Sequence, residues 1–312
     1  MLDRKFHLVA ASVLGTSNPA GVSTSSGGVA RNVAENLAGL LTSHDVQVDL
    51  VSAIGDDDAG ATLLAHLSEQ RVGIRRVRVH PGEATAQYVA VLEPGGELTI
   101  GIAAMAVLDQ VDVEALEAAW PSGGRVFCDT NLSAPVLAFA LRQARNRGTS
   151  LAVDAVSTLK VVRLPADLTG IALFSCNRDE ARAWLSEHGQ PVAGTDRELA
   201  ARLRTAGATA VLLTRGADGV VVADQHGVHE LPAVQTPVLD VTGAGDALVA
   251  GTLAALIIAD LPARPADPDR PAVPARPAGS DRPRPDLLAA VRAGLERAAR
   301  TVASPHSVLP HS

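Results

Sequence analysis

The chain has 312 residues, of which 47% are apolar and only 2% aromatic, so a large core built from Ala, Val and Leu is expected. Its formal net charge of −7 excludes the basic footprint of a nucleic-acid-binding protein. The longest apolar run, Ala247 to Ala259, is too short to cross a bilayer and reads as a buried core helix.

That length suits one α/β domain carrying an appendage. The N-terminal "MLDRKFHLVAASVLG" imitates a signal peptide only faintly, because Asp3 and His7 interrupt it. "VQVDLVSAIG" reads as a strand entering a glycine turn, and "AGATLLAHLSEQRV" has apolar residues at helical spacing. "RVRVHPGEATAQYVAVLEPGGELTIGI" holds short period-2 runs separated by "PGEA" and "PGGE", a pattern that predicts antiparallel hairpins. A strand–helix rhythm follows. "RVFCDTNL", "SLAVDAVS", "GIALFSCN" and "AVLLTRG" read as strands, with "APVLAFALRQARNRG", "RDEARAWLSEHG" and "DRELAARLRTAG" as helices among them. Such alternation predicts a parallel sheet covered by helices, with the hairpin island as a separate flap.

Cys128 and Cys176 each end an apolar run and read as reduced core residues of a cytoplasmic protein. Residues 260–285 are Pro/Arg/Asp-rich low complexity, which predicts a disordered loop before a last helix, "DLLAAVRAGLERAARTVAS". The basic residues are nearly all arginine, and lysine occurs only at Lys5 and Lys160. Lys160 reads either as a position where arginine does not substitute or as a solvated side chain.

One segment stands apart, "PVLDVTGAGDALVAGTLAAL" at 237–256. Gly243-Ala244-Gly245 form a turn, Asp246 follows, and an apolar helical run begins. A helix N-terminus offers unpaired N–H groups and partial positive charge, and glycines let a phosphate approach them closely. Asp246 stands where it could take a proton from a hydroxyl attacking that phosphate. The residues alone leave a second reading open, in which Asp246 is a helix cap behind an ordinary tight turn.

"DVTGAGDALVAG" resembles the C-terminal signature of the ribokinase/PfkB-type sugar and nucleoside kinases, and "SSGGVARNVAENLAGL" at 25–40 resembles their N-terminal signature. "SAIGDDDAG", "NRDE" at 177–180 and "LLTRGADGVVVA" resemble further blocks in the family's order, over nearly the whole chain. The resemblance implies a doubly wound, mostly parallel α/β fold with a β-sheet lid formed by about 4–24 and 75–103. It implies Asp246 as catalytic base and Gly243, Ala244 and Gly245 as anion hole. Gly28 and Asn32 match residues that hold sugar hydroxyls, and Thr214, Gly216 and Gly219 match the nucleotide loop. Asn177 and Glu180 match the motif that organises magnesium and phosphate; taken alone, "NRDE" is also an ordinary helix start. Asp240 and Thr242 shape the turn, with K⁺ as an optional partner. ATP and Mg²⁺ are the implied cofactors, a nucleoside or sugar the implied substrate, and a homodimer through the lid one implied assembly. Within the family, "FCDTNLSAPVL", "VDAVSTLKVVRL" and "SCNRDEARAW" are most similar to the pseudouridine kinases, which implies transfer of the ATP γ-phosphoryl to the 5′-hydroxyl of pseudouridine. Asn131 and Lys160 fall in these blocks as candidate pocket residues. Ribose, another nucleoside or fructose is the alternative acceptor, and a catalytically weak ligand-binding regulator the alternative class.

The sequence departs from the family pattern at its start. Asp3 aligns with the acid that grips ribose hydroxyls, but the strand expected before it is missing. The expectation is therefore a chain that starts late and lacks a central strand, leaving two ladders of unpaired backbone groups. The 260–285 insertion is the second departure and is expected to be inert.

Overall fold

A computed structural model of the protein describes residues 1–261, 286–304 and 307–309. From residue 262 onward the expected disordered loop lies outside the described residues. Strand β1 (Leu2–Leu8) pairs antiparallel with β2 (Ala20–Ser26), and helix α1 (Val29–Leu40) follows. Next come β3 (Asp49–Gly55), α2 (Asp58–Glu69) and β4 (Gly73–His80), a pair of neighbouring parallel strands joined by one helix. A hairpin of β5 (Gln87–Leu92) and β6 (Leu98–Ala104) turns through the "PGGE" segment. β5 lies parallel to β1, which completes a four-stranded sheet in the order β2-β1-β5-β6.

The remaining chain builds the main layer. After α3 (Val113–Ala119) the order is β7 (Arg125–Asp129), α4 (Ala134–Arg147), β8 (Ser150–Asp154), the short α5 (Thr158–Val161) and β9 (Ile171–Asn177). Then come α6 (Arg178–Glu187), α7 (Asp196–Thr205), β10 (Val211–Thr214), β11 (Val220–Asp224) and β12 (Gly227–Leu231). Two long helices finish the described chain, α8 (Ala244–Asp260) and α9 (Leu287–Val302). The six strands run in the order β12-β11-β10-β9-β8-β7; β7 to β10 are mutually parallel, and β11 and β12 add an antiparallel edge.

Alternation along the strands sorts the core into two layers. In β10, Val211 and Leu213 face one cluster and Leu212 the other; in β9, Phe174 and Leu173 divide the same way. The first cluster holds Leu137, Trp184 and Leu199 of α4, α6 and α7, while the second holds Val33, Leu253 and Val291 of α1, α8 and α9. A sheet buried on both faces needs near-continuous apolar strands, and "SLAVD" and "IALFSCN" supply them. This is the doubly wound architecture. Cys128 and Cys176 are both free thiols in the core. No helix among the described residues is long and apolar enough to cross a membrane.

One expectation needs correction. The run "RVRVH" forms no hairpin with the strand after it: β4 lies beside β3, and only β5 and β6 make the hairpin. The start of the expected 75–103 flap is thus outside the four-stranded sheet. Period-2 patterning reports a strand but not its partner. The principal sheet is also divided, since β3 and β4 form a two-stranded sheet of their own rather than continuing from β7.

Helices α8 and α9 meet through glycines. A Cβ on Gly294 would stand 2.4 Å from the Leu248 carbonyl oxygen and 2.4 Å from Thr252 Oγ1, and one on Gly251 would stand 2.8 Å from Gly294 Cα. Gly294→Ala is expected to cost about 1–3 kcal/mol through overpacking, read as a lower midpoint in thermal unfolding, with Ala293→Ser in the same helix as an unaffected control.

Candidate active site

The 240–246 turn is shaped by its own hydrogen bonds. The Asp240 carboxylate accepts from the Thr242 amide at 2.8 Å, and the Ala244 amide donates to the Val241 carbonyl at 3.2 Å. Gly243 has φ 78 and begins α8. A side chain there would be strained, and its Cβ would stand 2.3 Å from the Ser307 carbonyl oxygen. Beside Gly245 there is open space. The amides of Gly245 and Asp246 have no acceptor among the described residues, as the first turn of a helix dictates. Together they present two N–H groups and the positive end of α8 to that space.

Asp246 is held from the neighbouring helix. Asn32 Nδ2, on α1, donates to Asp246 Oδ2 at 2.5 Å. The amide of Asn32 is oriented by Arg31, whose guanidinium donates to Asn32 Oδ1 and to Glu35. Arginine has no acceptor, so the Asn32 oxygen must face it and the NH₂ must face Asp246. Arg31 is itself anchored on the Gly27 carbonyl at 2.9 Å and the Ser26 carbonyl at 2.8 Å, and Glu35 lies 3.0 Å from His66 Nε2. Asp246 keeps some surface open to the cleft yet is otherwise surrounded by protein. Burial pushes its carboxyl up to about 6 against the opposing Asn32 hydrogen bond; Asp129 and Asp3 add to the rise, and Arg31 reduces it.

Strand register places a row of polar groups along the carboxyl edge of the main sheet. Asp129 pairs with Asp154, Asp154 with Ser175, and Asn177 with Thr214. Ligands of open parallel sheets collect along this edge. Asp129 accepts from the Ala30 amide at the start of α1 and from the Asn131 amide, each at 2.9 Å. Asp154 accepts from the Val156 amide at 2.9 Å. Burial, with the charge of Asp246 adding to it, pushes the Asp154 carboxyl up to about 7. Val156 has φ 58, a costly conformation for a β-branched residue.

The residues expected to meet the acceptor fall in two groups, one at the head of β1 and one at Asn131 and Lys160. Asp3 Oδ1 is buried without a hydrogen-bond partner, and burial raises its carboxyl above the usual carboxylate range. A Cβ on Gly27 would stand 2.1 Å from the Asp3 carboxylate, and Gly28 has φ 103, so both glycines are needed where β1 meets α1. Asn131 and Lys160 meet directly, Nζ to Oδ1, at 2.6 Å, and the Met105 sulfur lies 3.5 Å from the same Nζ. Lys160 is therefore a partnered side chain, with its ammonium pushed down by burial.

Thr214, Gly216 and Gly219 lie around the turn between β10 and β11, and no hydrogen bond joins them to the Asp246 cluster. Gly216 has φ 59 and Gly219 φ 89; a Cβ on Gly219 would stand 2.1 Å from the Leu231 carbonyl oxygen. Asn177 and Glu180 form a reciprocal capping box at the start of α6, which is the helix-start reading of "NRDE". Glu180 Oε2 takes the Asn177 amide at 2.8 Å, and burial raises this carboxyl too. Lys5 reaches from β1 to Thr242 Oγ1 at 3.2 Å and to Asp240 at 3.6 Å, so an ammonium already stands beside the two residues considered for K⁺. Among the described residues no three His, Cys, Asp or Glu side chains gather into a set able to hold a metal ion.

Comparisons with known proteins show the family and the fold. The pfkB family carbohydrate kinase profile matches residues 6–261. The chain belongs to this family and is a phosphotransferase with an alcohol group as acceptor. It is 34% identical over 241 residues to the pseudouridine kinase of Escherichia coli (strain K12), covering 75% of this chain and 74% of that one. Two ribokinase structures share the fold. One, from Thermotoga maritima, has a TM-score of 0.78 and 15% identity over 99% of this chain and 93% of its own. The other, from Arabidopsis thaliana complexed with ribose and ATP, has 0.74 and 16% over the same shares.

Sequence reasoning missed Arg31, Asp129 and Asp154. The available signal was an acid closing each of two successive parallel strands, in "FCDT" and "AVDA". Asp246→Asn retains the shape and removes the carboxylate expected to act as base, and is expected to lower kcat about 10²–10⁴-fold in an ATP-consumption assay. With Asp246 as the expected base its ionised carboxylate would be the active form, so kcat/KM should rise with pH through about 6 and fall below it.

Proposed function

We propose that the chain phosphorylates the 5′-hydroxyl of pseudouridine to pseudouridine 5′-phosphate, with ATP as donor. The observation that carries the reading is the buried Asp246 carboxylate, held by Asn32 beside the unpaired helix amides, with the partnerless Asp3 oxygen nearby. Similarity to the pseudouridine kinase supports the choice of acceptor.

The roles follow from the chemistry of each group. A buried carboxylate oxygen without a donor costs about 1–3 kcal/mol, and an acceptor-sugar hydroxyl donating to Asp3 relieves that cost. Gly28 opens the approach, and Asn32 serves both Asp246 and the sugar. Lys160, positioned by Asn131, offers donors to the acceptor's base. The 5′-oxygen attacks the γ-phosphorus, its proton passes to Asp246, and the bond to the bridging oxygen breaks to release ADP. Charge on the transferring group falls against the Gly245 and Asp246 amides and the dipole of α8, with Gly243 and Ala244 shaping that turn. Thr214, Gly216 and Gly219 form the floor for the nucleotide.

Mg²⁺ suits this site as an ion carried with phosphate oxygens and water, which needs only one or two protein carboxylates. Glu180 would hold it, through the carboxylate oxygen the capping box leaves free, with Asn177 beside it; the ion neutralises phosphate charge. Asp240 and Thr242 shape the turn, and Lys5 supplies the positive charge there.

The assay is ATP consumption over pseudouridine, uridine, adenosine, ribose and fructose with Mg²⁺. Pseudouridine should give the highest kcat/KM. A faster sugar or another nucleoside would discard this acceptor and keep the phosphoryl chemistry.

We also propose a homodimer through the four-stranded sheet. Leu98, Ile100 and Ile102 alternate along β6 and are 56%, 50% and 52% exposed, an apolar row beyond what scattered surface residues require. Sedimentation should show a dimer that Ile100→Asp converts to monomer.

A further inference from the structure

Helix α1 buries a cluster of polar side chains. Arg31, Asn32, Glu35 and Asn36 are all 6% exposed or less, in the helix that packs against α8. Replacing a buried ion pair by apolar side chains is often neutral or stabilising, so fold stability alone does not account for Arg31 and Glu35. Asn32 has its place beside Asp246. Glu35 makes no hydrogen bond to Asp246 or to the residues assigned to acceptor and nucleotide; its partners are Arg31 and His66.

The guanidinium of Arg31 has five donors. Nε serves the Gly27 carbonyl, Nη2 serves the Ser26 carbonyl and Asn32 Oδ1, and one N–H of Nη1 serves Glu35 Oε2. Three carboxylates act on this cation, those of Glu35, Asp246 and Asp3. Asp246 is therefore a competitor for it. A charge-assisted, two-pronged bond from arginine to a carboxylate is stronger than the single bond that Asn32 makes. A guanidinium seated on Asp246 would cover the oxygens that must take the acceptor proton. It would also hold the carboxyl ionised, which makes it a poor base.

Glu35 keeps the cation elsewhere. It lies one helical turn after Arg31, so the two side chains meet on one side of α1, and its Oε2 takes the Nη1 donor. Its Oε1 lies 3.0 Å from His66 Nε2 on α2. The carboxylate is thus pinned at both oxygens, from two helices. The His66 side chain is 35% exposed, so the chain of contacts that starts at Asp246 ends at the surface.

We propose that Glu35 is a positioning residue for Asp246: pinned by His66, it draws the Arg31 guanidinium aside and leaves Asp246 to Asn32. Glu35 touches no reacting atom and acts through Arg31. The inference rests on the reading of Asp246 as base. The other charged groups that act on Asp246 are Asp129, Asp3 and Asp154, and substitution of Glu35 leaves all three in place.

The test is Glu35→Gln, which keeps an oxygen for Arg31 Nη1 and removes only the charge. The first readout is the titration of the Asp246 carboxyl in the unliganded protein, followed by carbon NMR and assigned by its loss in Asp246→Asn. With the negative charge gone and the cation free to approach, the Asp246 midpoint should fall by about one pH unit. The second is turnover. The lower limb of kcat/KM should move down in pH with that midpoint, and kcat should fall about ten-fold with the KM for ATP unchanged. Glu35→Asp retains the charge one methylene further back and should lie between the parent and Glu35→Gln in both readouts. A side chain that only held α1 in place would lower the thermal midpoint and leave the titration where it was. An Asp246 midpoint that stays or rises in Glu35→Gln overturns the proposal, and so does an unchanged kcat. Should Glu35→Gln fail to fold, Glu35→Asp decides: its Asp246 midpoint must lie below the parent's, and an unmoved one overturns the proposal. A parent protein inactive on every acceptor overturns the proposed reaction alone, because the titration is read without substrate and still decides for Glu35.

Discussion

The hydrogen bond from Asn32 to Asp246 is the constraint on which the site depends. It joins α1 to the first turn of α8 across 214 residues of sequence. Neither partner could hold its orientation alone. Arg31 fixes the Asn32 amide, and Arg31 is fixed in turn by the Gly27 and Ser26 carbonyls and by Glu35. A carboxylate so placed is desolvated and restrained at once, the state in which it can hold a proton near neutrality and release it again.

Around that bond the chain accepts local costs. Asp3 carries a buried oxygen without a donor, Val156 adopts a left-handed conformation, and Asp154 is driven towards its neutral form by its surroundings. Such costs collect where a fold is shaped for a ligand rather than for itself. The glycines at Gly27 and Gly243 are the steric counterpart. Each lets its backbone lie close to another group, Gly27 against the Asp3 carboxylate and Gly243 against the Ser307 backbone.

The legible parts of the sequence were those in which one residue type has few physical uses. Glycines before an acid at the head of an apolar run announced the 243–246 turn, and continuous apolar runs announced the doubly buried strands. The partnership of Asn131 with Lys160 was not legible, because 29 residues separate them and only register along the sheet edge brings them together. Asp129 and Asp154 were obscured for a different reason. An acid after a strand also serves turns and helix starts, and each of these does so, through the Asn131 and Val156 amides. The placing of β4 failed on strand pairing, which depends on the connecting helix α2 and not on the strand's own alternation.

Strand β1 has a mechanical property of its own. Asp3 and Lys5 are two residues apart, so they lie on the same face of the strand. Lys5 reaches Thr242 and Asp240 in the 240–246 turn, and Asp3 is the residue proposed to meet the acceptor. A rigid strand cannot move one contact without the other. On the proposed function, one rigid strand thus carries both the contact meant for the acceptor and the contact that holds the phosphate turn.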